Sequence, residues 1–198
     1  MENIDKQLLN EALELLGEVL AQRGHTSENF VVCGGSSLMA MKLVSRTATR
    51  DVDILARLSP KGLVQAKPLP DDIVEAADDV RLELGLPSGW LNTGPADDSF
   101  FRLGFPEGIE ERLTARSYGE ALTIYYISRY DQIFFKLYAV ADQGPGKHYA
   151  DLKELKPQRD ELLAAASWTR KQDPSEGFKL MLSGLLKELG YGDLADQI

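Results

Sequence analysis

The chain has 198 residues, with 22 basic and 31 acidic side chains and a formal net charge of −9. That length suits one domain of ordinary size, or one domain with a helical extension. The acidic balance argues against broad, nonspecific binding of nucleic acid. The single cysteine, Cys33, excludes an internal disulfide and indicates a reducing compartment. Because we find neither a signal-peptide pattern nor an apolar run of about 18 residues, we expect a cytoplasmic protein without membrane contact.

The first part of the chain has the pattern of an α/β domain, in which short apolar runs alternate with segments of helical spacing. Ser36 and Ser37 follow a glycine turn and would cap the second helix. Tyr118-Gly119-Glu120 is a hairpin signal. The predicted elements are a helix over Asp5–Gln22, a strand over Phe30–Cys33, a helix over Leu38–Leu43, a strand over Val52–Leu55, a loop over Ser59–Pro70, an acidic helix over Pro70–Leu84, an irregular segment over Leu86–Pro95, and strands over Ser99–Phe105, Leu113–Tyr118 and Ala121–Ser128.

From Arg129 onward the pattern is helical throughout, and the turn Gly144-Pro145-Gly146 separates the first two helices. Three further helices are predicted over Lys147–Leu155, Pro157–Lys171 and Ser175–Leu189. The sequence therefore predicts an α/β core over residues 1–128, followed by a helical region over residues 129–198 that packs on it.

Two carboxylates, Asp51 and Asp53, lie two residues apart on the second predicted strand. Residues at this spacing share one face of a strand, so we expect both side chains to project together while Val52 and Ile54 enter the core. Paired carboxylates repel each other unless a cation lies between them, and Mg²⁺ binds one or two carboxylates together with phosphate oxygens and water. An Asp-x-Asp alone is weak evidence, because solvated pairs of this kind are common.

The turn Gly34-Gly35-Ser36 precedes the acids within about 25 residues, in the order strand, turn, helix, strand. Glycines allow close approach to a ligand, and a helix N-terminus presents N–H groups to anions. Arg46 and Arg50 lie just before the acids and would offset the charge of a triphosphate. We expect the carboxylates to lie in a cleft near this turn, although the turn alone is also typical of an ordinary strand-to-helix connection.

Gly34-Gly35-Ser36 followed by Asp51-x-Asp53 resembles the signature of the nucleotidyltransferase superfamily, which includes DNA polymerase β and the kanamycin and tRNA nucleotidyltransferases. A closer likeness is to the AbiEii-type toxins of type IV toxin–antitoxin systems and their uncharacterised relatives. Downstream, DQIFFKLYA at Asp131–Ala139 is similar to that group's Lys-Leu-x-Ala helix. KHYADL at Lys147–Leu152 is similar to its late basic-x-x-Asp-Leu motif.

The resemblance implies an α+β fold, with a nucleotidyltransferase-like mixed β-sheet, flanking helices and a C-terminal helical half. It implies transfer of a nucleoside monophosphate from a nucleoside triphosphate, with Mg²⁺ or Mn²⁺ held by Asp51 and Asp53. Gly34, Gly35 and Ser36, with Arg46 and Arg50, would bind the nucleotide. The catalytic set would be Asp51, Asp53, Asp151 and Lys136, with Asp151 completing the acidic site or orienting Lys136. We expect Lys136 and Asp151 to converge on the cleft of the two acids.

Most active members of the superfamily carry a third carboxylate on a later strand, and the strand predicted over Ala121–Ser128 has none. Three interpretations follow. The first is an enzyme, with RNA, a protein side chain or a small molecule as acceptor, and the toxin of an antitoxin pair as its finer form. The second is a catalytically degenerate module that binds nucleotide or a protein partner. The third is a non-catalytic component of a paired operon, with the helical half as docking surface.

The remaining notable residues are interpreted structurally. His25 and His148 are assigned to the surface, although a base or phosphate contact for His148 stays open. Cys33, Trp90 and Trp168 are assigned to packing.

Overall fold

The computed structural model describes residues 3–198, which divide into two units. The first contains the described residues up to Phe101 together with Gly108–Ser128. The second contains Arg129–Ile198 and the segment Arg102–Glu107, which the sequence analysis places in the first part. A mixed β-sheet with flanking helices in the N-terminal half and helices in the C-terminal half confirm the predicted α+β class. Across residues 3–198, no helix is both long and apolar enough to cross a membrane.

The strands of the first unit form one main sheet and one short pair. They are β1 (Ile4–Asp5), β2 (Glu28–Cys33), β3 (Ala48–Thr49), β4 (Val52–Ser59), β5 (Gly62–Val64), β6 (Leu91–Asn92), β7 (Thr114–Tyr118) and β8 (Leu122–Tyr126). The main sheet has the order β5-β4-β2-β8-β7, with β6 beside β4, and β1 pairs with β3. Strand β2 runs antiparallel to β4 and parallel to β8, and the predicted hairpin joins β7 and β8.

Helix α1 (Lys6–Gln22) begins where the Asp5 carboxylate accepts a hydrogen bond from the Leu8 backbone N–H at 2.9 Å. The helix contacts α3 (Asp71–Leu84) and the β7–β8 hairpin. Gly17 allows this approach, because a Cβ at that position would overlap the Tyr118 carbonyl oxygen. A Cβ on Gly119 would likewise lie 2.8 Å from the Gly17 carbonyl carbon. The helix and the hairpin therefore meet backbone to backbone.

The structure corrects several sequence-based predictions in the N-terminal half of the chain. The predicted strand over Ser99–Phe105 is wrong, because most of this segment belongs to helix α4 (Asp98–Leu103). Just before the helix, the Asp97 carboxylate accepts a hydrogen bond from the Ser99 N–H at 2.7 Å. The predicted loop over Ser59–Pro70 contains β5, and the predicted irregular segment over Leu86–Pro95 contains β6. Both strands are very short and exist through pairing with β4.

The helix after β2 also begins earlier than predicted. Helix α2 spans Gly34–Ala40, so the Gly-Gly-Ser sequence forms its first turn rather than preceding it. Cys33 is the N-cap residue, and its side chain makes no capping hydrogen bond. The predicted capping by Ser36 and Ser37 is therefore wrong, since both residues lie inside the helix and are buried.

The second unit is built around helix α5 (Arg129–Gln143), which contacts α6 (Lys147–Glu154), α7 (Arg159–Gln172) and α8 (Glu176–Glu188). Trp168 of α7 lies in an aromatic cluster, with ring centroids 5.9 Å from Phe134 and 5.4 Å from Phe135. Its indole N–H donates to the Gly104 carbonyl at 2.9 Å, so Trp168 has the predicted packing role. A short 3₁₀ helix, Gly192–Gln197, follows α8.

Candidate functional site

Asp51 and Asp53 flank the start of β4, with Asp51 immediately before the strand and Asp53 inside it. Val52 and Ile54 are buried, whereas Asp51 and Asp53 are half-buried. This alternation is typical of a strand with one face in the core. The antiparallel register of β2 and β4 places Asp53 opposite Cys33, which directly precedes the glycine pair.

The carboxylate of Asp53 lies against Gly34. A Cβ on Gly34 would overlap Oδ2 of Asp53 and would lie 3.1 Å from its Cγ. Gly34 also has a φ of +70°, in the left-handed region that favours glycine. Glycine at this position therefore allows the first turn of α2 and the Asp53 carboxylate to touch.

The second glycine faces a cation and a hydroxyl. A Cβ on Gly35 would lie 2.8 Å from Nη1 of Arg46 and 2.9 Å from Oγ1 of Thr49. The Thr49 hydroxyl donates to the Asp51 carbonyl at 3.2 Å, which ties this segment to the residue preceding β4. Arg50, the other predicted nucleotide-binding cation, is exposed. The structure thus brings Arg46 to the glycine turn and leaves Arg50 at the surface beside it.

Ser36 occupies the same turn of α2, and its side chain is 1% exposed. Within residues 3–198, the Ser36 hydroxyl has no hydrogen-bond partner. A buried hydroxyl without a partner is costly, because it has lost its water without gaining a replacement. Such an atom next to two glycines and an arginine fits a site that accepts a polar ligand.

Asn92 is a site residue that the sequence analysis missed. It lies on β6, in parallel register with Asp53, and its Nδ2 donates to Oδ1 of Asp53 at 3.2 Å. Its own Oδ1 accepts from the Gly94 N–H at 2.8 Å. The sequence analysis sought a third carboxylate on the strand that became β8, but β8 pairs with β2 and not with β4. In the sequence, Asn92 simply follows the apolar residues Trp90 and Leu91, and this pattern does not indicate a functional site.

The donor set fits a divalent cation that arrives with phosphates. The two carboxylates can support Mg²⁺, which takes its remaining ligands from phosphate oxygens and water. Over the part of the chain that the structure describes, no group of three or more histidine, cysteine, aspartate or glutamate side chains is arranged for a metal ion.

Lys136 and Asp151 form an ion pair in the second unit. Nζ of Lys136 lies 2.8 Å from Oδ2 of Asp151, and the two side chains are only 5% and 2% exposed. Nδ1 of His148 lies 3.4 Å from the same ammonium, and His148 is half-buried. Asp151 is thus in position to orient Lys136. The expected cleft at Asp51 and Asp53 stays a prediction, and so does the convergence of Lys136 and Asp151 on it.

The structure also decides the assignments of three other residues. Trp90 and Cys33 are buried, in accord with their predicted packing roles, and the Trp90 indole donates to the Ala77 carbonyl at 2.9 Å. His25 was assigned to the exposed surface, but its side chain is only 14% exposed. Its ring nitrogens lie 2.9 Å from carboxylates of Glu28 and Asp72, so His25 connects β2 to α3.

Comparison of the chain with protein-family models, with curated proteins and with solved structures finds no match.

Proposed function

We propose that this protein is a Mg²⁺-dependent nucleotidyltransferase, which transfers a nucleoside monophosphate from a nucleoside triphosphate to an acceptor. The observation that carries the proposal is the contact of the Asp53 carboxylate with Gly34 in the first turn of α2. Arg46 beside Gly35 and the unpartnered Ser36 hydroxyl in the same turn support it. A triphosphate needs such a combination of backbone N–H groups, cations and metal-binding carboxylates.

Each group at the site has a distinct role in this proposal. Asp51 and Asp53 would hold Mg²⁺, which supplies positive charge to the phosphates. Arg46 and Arg50 would offset the remaining phosphate charge, and the Ser36 hydroxyl would donate to a phosphate oxygen. Lys136, oriented by Asp151, would contact a phosphate or the base.

The reaction is a displacement at the α-phosphorus. The acceptor hydroxyl oxygen forms a bond to that phosphorus, and the bond from the phosphorus to the bridging oxygen of the β-phosphate breaks. Pyrophosphate leaves with the electron pair, and the proton of the acceptor hydroxyl passes to water. The protein contributes positioning and charge neutralisation, which account for most of the acceleration in phosphoryl transfer.

Nucleotide binding is expected to require a divalent cation, because the triphosphate and the two carboxylates otherwise repel each other. Calorimetry with ATP, GTP, CTP and UTP, each with Mg²⁺ and with EDTA, measures this dependence. The double variant Asp51→Asn, Asp53→Asn should lose binding by at least about tenfold. Asp142→Asn, Asp196→Asn is the matched control, since both residues are exposed and the charge change is the same. Equal binding of any of the four nucleotides in EDTA would contradict the proposal.

The second candidate function is a degenerate nucleotidyltransferase-fold module that binds nucleotide or a protein partner without chemistry. The amide of Asn92 beside Asp53 favours it, because a third carboxylate at this position would strengthen both metal binding and acceptor deprotonation. Incubation of the protein with α-labelled nucleotides and cell extract separates the two candidates. Label transferred to RNA, protein or a small molecule supports the enzyme, and tight binding without transfer supports the module.

The finer form of the proposal is a cytoplasmic toxin of a type IV pair, with an antitoxin protein as partner. Its support is the resemblance of the Lys136 and Asp151 motifs to the AbiEii-type toxins. Growth arrest on expression, relieved by Asp51→Asn, Asp53→Asn, would favour this form. A neighbouring gene for a helix-turn-helix antitoxin would favour it further.

A further inference from the structure

The amide of Asn92 is held in one orientation by its two partners. A carboxylate oxygen can only accept a hydrogen bond, and a backbone N–H can only donate one. Oδ1 of Asp53 therefore receives the Asn92 Nδ2, and the Gly94 N–H faces the Asn92 Oδ1. Rotating the amide by half a turn would place acceptor against acceptor and donor against donor. Asn92 thus presents a donor, and not a ligand oxygen, to the carboxylate of Asp53.

This orientation has two effects on the candidate site. First, the hydrogen bond holds the Asp53 carboxylate in a fixed rotation, with Oδ2 directed toward Gly34. Second, the register of β4 and β6 places residue 92 beside residue 53 on the neighbouring strand, where a third carboxylate would add a full negative charge. Asparagine there keeps the number of carboxylates at two, Asp51 and Asp53. A site with fewer charged oxygen ligands binds a bare divalent cation less tightly.

We infer that Asn92 positions Asp53 and makes cation binding at this site dependent on nucleotide. This inference rests on the proposed function, and it adds the reason why the cation enters with the triphosphate. Asp51 and Asp53 alone bind free Mg²⁺ or Mn²⁺ weakly, and the phosphate oxygens supply the ligands that the protein lacks. By linkage, the cation raises the affinity for nucleotide by the same factor as the nucleotide raises the affinity for the cation.

The test replaces the amide by a carboxylate of the same shape. In Asn92→Asp, two carboxylates face each other across β4 and β6, so the protein without cation should be less stable. Mn²⁺ relieves that repulsion, so its affinity in the absence of nucleotide should rise by about tenfold or more. Electron paramagnetic resonance of free Mn²⁺ gives the affinity. Thermal unfolding with and without Mn²⁺ gives the stability, which Mn²⁺ should restore in this variant.

Two further variants separate positioning from a general effect. Asn29→Asp makes the same charge change on β2, at a residue that bonds Ser27, and should leave Mn²⁺ affinity unchanged. Asn92→Ala removes the donor without adding charge, so Mg²⁺-dependent nucleotide binding should weaken several-fold. A purely structural Asn92 would lower stability in Asn92→Ala and Asn92→Asp alike, without a change in either affinity. If Asn92→Asp fails to fold with or without Mn²⁺, the nucleotide affinity of Asn92→Ala decides the matter.

The failure of this inference differs from that of the proposed function. If the wild type binds nucleotide with Mg²⁺, but Asn92→Asp binds Mn²⁺ within twofold of the wild type, only the role of Asn92 is overturned. Tight binding of Mn²⁺ by the wild type without nucleotide also overturns that role alone. If the wild type binds neither Mg²⁺–nucleotide nor Mn²⁺, both are overturned.

Discussion

At Gly34, two independent requirements exclude other residues. The backbone has a φ of +70°, and a side chain would occupy the space of the Asp53 carboxylate. At Gly35 only the available space is restricted, because a side chain there would meet the side chains of Arg46 and Thr49. The two glycines therefore serve different purposes, although they look equivalent in the sequence. Gly34 sets the conformation of the turn and leaves space for the Asp53 carboxylate, whereas Gly35 leaves space for the Arg46 guanidinium.

The pair formed by Lys136 and Asp151 is so deeply buried that each single substitution should destabilise the protein. Asp151→Ala leaves an ammonium without its counter-charge, and we expect a loss of about 3 to 5 kcal/mol. Lys136→Met should lower the free energy of unfolding by a similar amount, because it leaves the buried Asp151 carboxylate without its counter-charge. The double variant Lys136→Met, Asp151→Leu replaces the pair by apolar groups and should lie within about 1 kcal/mol of the wild type. Urea denaturation measures all three.

This double variant also tests the proposed catalytic role without loss of the fold. If Lys136 and Asp151 take part in transfer, the folded double variant binds little nucleotide and transfers no label from α-labelled nucleotides. If they serve only the packing of the second unit, the double variant keeps the transfer activity that we propose for the wild type. The second result would remove both residues from the proposed site.

Helix α7 begins with an arrangement that joins three helices of the second unit. The Glu161 carboxylate accepts from the Gln158 backbone N–H at 2.7 Å and completes a capping box. Arg129 at the start of α5 donates to both oxygens of Glu161, and it also donates to the carbonyls of Leu155 and Lys156, which follow α6. The Glu161 carboxylate therefore holds Arg129 in a position where it connects the start of α5 to the start of α7 and to the residues that follow α6.

Burial opposes ionisation of Glu161, but the hydrogen bonds from Arg129 and Gln158 outweigh it and lower the pKa below the ordinary value of 4.5. A lowered pKa stabilises the folded state above pH 4.5, and this contribution is lost as the pH falls through the lowered value. Glu161→Gln should therefore be less stable by about 1 kcal/mol near pH 7, with the difference shrinking below pH 4.5. Urea denaturation between pH 3 and 8 checks this. Glu176→Gln, at a side chain that is 91% exposed, should show no such trend.

The close contact between α1 and the β7–β8 hairpin predicts that a side chain at Gly17 would destabilise the protein. Alanine normally stabilises a helix relative to glycine, but a Cβ on Gly17 would overlap the Tyr118 carbonyl oxygen. We expect Gly17→Ala to lower the free energy of unfolding by about 2 kcal/mol or more. Gly184→Ala in α8 is the matched control, because nothing lies within 4 Å of that position. It should raise stability by about 0.5 to 1 kcal/mol, and an equal gain for Gly17→Ala would contradict the described contact.

At the scale of the whole molecule, the sequence predicted those elements whose structure depends on the local pattern of apolar and polar residues. The sequence predicted the long helices α1, α3, α5, α7 and α8. Strand alternation predicted that Val52 and Ile54 would be more buried than Asp51 and Asp53. The Ser99–Phe105 segment was mistaken because a short aromatic run suits a strand or a helix equally, and Asp97 favours the helix. Asn92 was missed because β6 has two residues and exists only through its pairing with β4. No local pattern encodes such a contact.

The short pair of β1 and β3 links the beginning of the chain to the candidate site. Ile4 lies opposite Thr49, and Asp5, the N-cap residue of α1, lies opposite Ala48. Thr49 in turn faces Gly35 and bonds the Asp51 carbonyl. A mechanical load on the N-terminus, as in an optical-tweezers measurement, would therefore first peel β1 from β3. We expect the segment that carries Arg46 and Thr49 to loosen while the main sheet stays intact. The proposed nucleotide binding would then be lost at a lower force than the one that unfolds the main sheet.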